Sequence, residues 1–88
     1  MIPTNRLTVI VDDGAVYTDT AVYISLDLST CGIPENVHAL QFFNGSGEIE
    51  WRGHRIPNMP ITTLPDWASK CLEKWQDAHD RFIQENQV

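Results

Sequence analysis

Along the chain, apolar and polar positions first alternate and then recur with a helical period. From Leu7 the residues LTVIVDD place Leu7, Val9 and Val11 on one face and Thr8, Ile10 and Asp12 on the other, the two-residue period of a strand. Asp13-Gly14 supplies a hairpin turn, because glycine accepts positive φ and aspartate tolerates it. A second strand over Ala15 to Thr18 should fold back on the first. Asp19-Thr20 then marks another tight turn before AVYIS (Ala21 to Ser25), a run of β-formers that predicts a short third strand. The first third of the chain therefore reads as a β-meander.

Leu26 to Asn36 contains Ser, Gly, Pro and Asn, which end strands, so it is expected to be a loop with apolar anchors at Leu26, Leu28 and Ile33. VHALQFF resumes extended structure, and Asn44 to Gly47 (NGSG) is a four-residue turn leading into a return strand. There Ile49 and Trp51 share one face while Glu48, Glu50 and Arg52 share the other, the alternation of a half-solvated antiparallel sheet. By the same alternation the His38 ring is expected on the side of Leu40 and Phe42. Residues 53 to 63 have no usable period and read as a loop.

Thr63 and Asp66 form a T-x-x-D capping pattern, with Pro65 in the first turn. From there Leu64, Trp67, Ala68, Cys71, Leu72, Trp75, Ala78, Phe82 and Ile83 recur at three- and four-residue spacing. The stripe predicts an amphipathic helix over about residues 64 to 85. The expected architecture is α+β: an antiparallel meander and a hairpin, about four or five strands over residues 7 to 52, with this helix on one sheet face. All of it belongs to one small domain, since 88 residues bury too little surface for a second core.

Composition narrows the function classes. Twelve acidic against six basic residues give a formal net charge of −6, which repels a phosphate backbone, so no nucleic-acid partner is expected. The N-terminus lacks the apolar region of a secretory signal, and no run reaches the length needed to span a bilayer; the reading is a cytoplasmic protein without membrane association. Cys31 and Cys71 form no C-x-x-C motif and are expected to be reduced.

Candidate chemistry is sparse. His38 has no evident nucleophile or carboxylate near it in sequence and reads as a hydrogen-bonded sheet histidine. His54 and His79 lie in loop and helix, away from His38, and no His, Cys or carboxylate pair has metal-ligand spacing. Cys71 falls on the apolar stripe, where a thiol packs as a small hydrophobe. No enzyme, metal or other cofactor is expected. The helix, by contrast, carries more aromatic surface than a small sheet needs. Trp67 and Leu72 are expected in the core, with Trp51 and Phe43 as core support, while Trp75, Ala78, Phe82 and Ile83 are the candidates for contact with a partner.

Asp13-Gly14, Leu26-Asp27-Leu28-Ser29, Ile33-Pro34 with Asn36-Val37-His38-Ala39-Leu40-Gln41, Gly47 with Ile49-Glu50-Trp51, and Leu64-Pro65 with Trp67-Ala68 carry a resemblance over nearly the whole chain. In these residues it resembles the short bacteriophage and prophage proteins called tail-fibre assembly proteins or small tail proteins. Thr20, where glycine would be expected, and Phe42, where tryptophan would be expected, depart from that pattern. The resemblance implies a tail accessory acting by protein–protein binding, either an assembly chaperone or a minor tail component. Its partner would be a tail-fibre or other tail protein, met in the cytoplasm of the bacterial host or in the virion tail. The alternative is a small acidic phage-encoded inhibitor of a host protein, although Lys70, Lys74 and Arg81 interrupt the acids of the helix. A homodimer through the helix stripe would compete for the same surface.

Overall fold

The structure, a computed structural model, describes residues 5–53 and 55–86. Among these are six strands, β1 (Arg6–Ile10), β2 (Ala15–Thr18), β3 (Val22–Tyr23), β4 (Val37–Phe43), β5 (Ser46–Trp51) and β6 (Met59–Ile61), followed by one helix, α1 (Asp66–Glu85). They form an antiparallel sheet in the order β3-β2-β1-β4-β5-β6, so the α+β architecture holds with one strand more than the sequence pattern indicated.

Register follows the side-chain pattern. Val9 stands opposite Val16 on one side and Leu40 on the other, and Leu40 opposite Ile49, which puts four apolar side chains in one row across the sheet. All four are at most 3% exposed. The helix lies over this face, across β1, β2 and β3, and adds Ala68, Cys71 and Trp75 to the core. The remaining cover comes from the crossover that leaves β3 at the sheet edge and returns at β4 in its interior, which buries Leu28 and Cys31. Leu64, Trp67, Trp51 and Phe42 pack around this core, half-buried.

Turn chemistry fixes the connections. Gly14 sits at φ +57°, and a Cβ there would stand 2.6 Å from the Leu26 carbonyl oxygen. That approach is used: the N–H groups of Ser25 and Leu26 donate to the carbonyls of Asp13 and Gly14, both at 3.0 Å, tying the crossover to the first hairpin. Between β2 and β3 the Thr18 hydroxyl oxygen accepts from the Thr20 N–H at 3.1 Å, so a side chain supports a turn in which no glycine stands. The second hairpin turns on Asn44-Gly45 alone, both at positive φ, with Ser46 and Gly47 already in β5.

Four expectations are corrected. Residues 53–63 are not all loop, because Met59–Ile61 adds an edge strand to β5. The helix starts at Asp66, and Thr63 makes no cap: a residue before proline is biased away from helical angles, so Leu64 stays outside, and Pro65 is the N-cap at ψ 154°. The alternation fails at His38, where a bulge between Val37 and Ala39 turns the ring away from the buried Leu40. Phe43, expected as core support, is 58% exposed at the end of β4. His54 lies outside the described residues.

Gly14→Ala should lower stability by about 2 kcal/mol or more, the combined effect of left-handed strain and collision with Leu26. Urea unfolding measures it. An unchanged midpoint would contradict the described contact between turn and crossover.

Candidate functional site

The C-terminal half of α1 gathers the aromatic side chains. Trp75 is 2% exposed, and its indole N–H donates to the Ala21 carbonyl at 3.1 Å, which satisfies the polar end of a buried ring. His79, one turn on, stacks on Trp75 with centroids 4.8 Å apart, and its Nδ1 is hydrogen-bonded to the Tyr23 hydroxyl at 2.8 Å. Tyr23 in turn meets the edges of Trp75 and Phe82 at 5.9 and 6.4 Å. The helix is thus fastened to β3 and to the turn before it by a chain of rings.

Beyond that chain the described residues cover the helix only in part. Phe82 is 54% exposed and Ile83 41%, while Val22 and Ile24, the neighbours of Tyr23 on the sheet edge, are 46% and 66% exposed. Phe82 and Ile83 form an apolar patch at the helix end, whereas Val22, opposite Tyr17 and next to the helix-facing Tyr23, lies on the other face of the sheet. Of the residues proposed from the sequence, Phe82 and Ile83 are on the surface and Ala78 is half-buried. Trp75 is corrected: it holds the helix to its own sheet and has no surface to give to a partner. The exposure of Val22 and Ile24 was not expected, because a run of β-formers reads as an ordinary strand until the sheet order shows it at the edge.

A second cluster is polar. The Arg52 guanidinium donates to both carboxylate oxygens of Asp12, one of them at 3.1 Å, and His38 Nδ1 lies 3.6 Å from the same carboxylate. The Arg52 hydrogen bond holds the Asp12 carboxyl below its ordinary range, and the Arg52 and His38 charges add to this, while partial desolvation opposes it. A carboxylate beside an imidazole can serve proton transfer, but here both oxygens are occupied by Arg52 and the imidazole is beyond hydrogen-bonding range. The cluster therefore acts as a clasp between the first hairpin turn and the end of β5.

Beside it, between that turn and the crossover, lies an open depression of about 530 Å³ whose wall includes Asp12, Asp13 and Glu35. Among the described residues no group of three or more His, Cys, Asp or Glu side chains is arranged to hold a metal ion, and no helix is long and apolar enough to cross a membrane. Comparison with protein-family models, with curated proteins and with solved structures returns no match.

Because the folded-state pKa of Asp12 is depressed, its contribution to stability is present above the unfolded value near 3.8 and is lost as pH falls through the folded one. Arg52→Ala should move the Asp12 titration, followed by carboxyl-carbon NMR, up toward 3.8. A titration that does not move would mean that Arg52 is not the group that holds it down.

Proposed function

We propose that this chain is a phage-tail accessory protein, a tail-fibre assembly chaperone or minor tail component that works by binding another protein. The observation that carries the reading is the pair of exposed apolar side chains Phe82 and Ile83 at the end of α1. Fully burying a large apolar side chain is worth about 1.5–3 kcal/mol, and Phe82 and Ile83, already about half-buried, stand to gain roughly half of that each from a fitting surface. The resemblance to tail-fibre assembly proteins supplies the class of partner. On this reading the chain acts in the cytoplasm of the bacterial host and, if it stays on the fibre, in the virion tail.

Helix packing is favoured over strand addition. Of the two sheet edges, β3 offers two residues, and β6 offers three with Pro60 among them, which has no N–H to donate. The partner surface should be apolar and not acidic, since the chain carries a net charge of −6. The same repulsion opposes pairing with a second copy.

Co-expression with a phage tail-fibre protein tests the reading. Wild type should raise the yield of soluble fibre protein and co-purify with it. Phe82→Asp, at a half-exposed position where the fold should lose less than about 1 kcal/mol, should abolish both while keeping the wild-type circular dichroism spectrum. If wild type neither binds nor solubilises the fibre protein, the reading fails.

A further inference from the structure

The second hairpin turns on Asn44-Gly45, and of the five asparagines in the chain Asn44 is the one followed by glycine. Asn44 and Gly45 stand at φ +50° and +80°, the left-handed angles of a two-residue hairpin turn, and both are exposed. The tip has few supports. Among the described residues β6 pairs with β5 only as far as Gly47, and β1 reaches β4 only as far as Phe43. Beyond them one backbone bond, from the Asn44 N–H to the Asn5 carbonyl at 2.9 Å, ties the turn to the rest of the chain. A Cβ built on Gly45 meets nothing within 4 Å, so the backbone there lies open to solvent.

Behind the tip the pairing is tight. Phe43 stands opposite Ser46 and Phe42 opposite Gly47, where a Cβ would collide with the Gln41 carbonyl oxygen and the Phe42 Cα. The two strands leave no slack for a longer turn.

We propose that Asn44 is a site of spontaneous covalent modification, at which the side chain closes on the Gly45 nitrogen to a succinimide that water opens to aspartate or isoaspartate. Ring closure requires Asn44 to leave its turn conformation, and local opening of a tip held by so few contacts supplies that state. The Gly45 nitrogen, with no side chain beside it to hinder attack, bonds to Asn44 Cγ and gives up its proton. The Cγ–Nδ2 bond breaks, and ammonia leaves with that proton. Water then adds to one of the two imide carbonyls. Breaking the bond to Cγ yields aspartate, whereas breaking the bond to the backbone carbonyl carbon yields isoaspartate, whose chain runs through the former side chain. Nothing is oxidised or reduced; one ammonia is lost and one water gained.

The products differ in what the hairpin keeps. Aspartate tolerates positive φ, so the turn survives and the net charge moves by one, from −6 to −7. Isoaspartate adds a backbone atom to a two-residue turn, which the close approach at Gly47 does not absorb, so the Phe43–Ser46 pair must open.

The inference is independent of the tail-protein reading and is tested on the folded full chain kept warm at mildly alkaline pH. Mass spectrometry should show a gain of about 1 Da, placed by fragmentation at Asn44 ahead of the other four asparagines. A protein isoaspartyl methyltransferase should methylate the aged chain and not the fresh one. Asn44→Gly, which accepts positive φ and has no carboxamide, should show no gain at this turn. In hydrogen exchange the isoaspartate form should lose protection at Phe43 and Ser46. An Asn44 that stays intact in the folded chain, earlier loss of another asparagine, or an isoaspartate form that exchanges at Phe43 and Ser46 as slowly as fresh protein would each overturn the proposal.

Discussion

One helix has to cover a sheet wider than itself. The row from β3 to β6 spans about 24 Å at a strand spacing near 4.8 Å, whereas a helix with its side chains is about 10–12 Å across. Helix α1 therefore lies over β1, β2 and β3, and other segments must close the rest of the apolar face. The crossover does so with Leu28 and Cys31, and Leu64 and Trp67 pack against the core at the start of the helix. Trp75 decides where the helix rests, since its buried ring and its hydrogen bond to Ala21 fit one placement only.

That placement has a consequence at the far end. Twenty residues of helix rise about 30 Å, and the ring chain from Trp75 through His79 and Tyr23 reaches only one edge of Phe82, so Phe82 and Ile83 stay 54% and 41% exposed. The same packing that stabilises the domain leaves an apolar surface at its margin. On the proposed reading, fold and function divide one stripe of helix between them: Ala68, Cys71 and Trp75 serve the core, and the residues beyond His79 serve a partner.

Much of this was legible in the sequence wherever a pattern is local. The alternation of Ile49 and Trp51 with Glu48 and Glu50 gave the inner face of β5, and the three- and four-residue stripe gave the helix and its buried side. Features set by tertiary structure were not legible. A bulge shows in no periodicity, so His38 was assigned to the wrong side of β4. Strand β6 contains a proline and too few residues for a period; it exists because β5 offers an open edge. Trp75 and Phe82 stand on one stripe with nothing in the sequence to separate them, and only the position of β3 makes one core and the other surface.

Several of the residues on which the proposed tail-protein reading draws are joints of the fold. Gly14 lies against Leu26, Leu28 is in the core, Asp27 accepts hydrogen bonds from the Ser29 N–H and hydroxyl, and Trp51 and Trp67 pack at its border. Phe82 and Ile83 are not among these joints, so the scaffold and the surface that would choose a partner are written in different residues. The support that the sheet gives the helix weakens after His79, where only the edge contact of Tyr23 with Phe82 remains. Amide hydrogen exchange on the isolated chain measures this directly. The account predicts slow exchange from Cys71 to His79 and rapid exchange from Phe82 to Glu85. Equal protection to the end of the helix would contradict it, because the last turn would then be covered in the free protein.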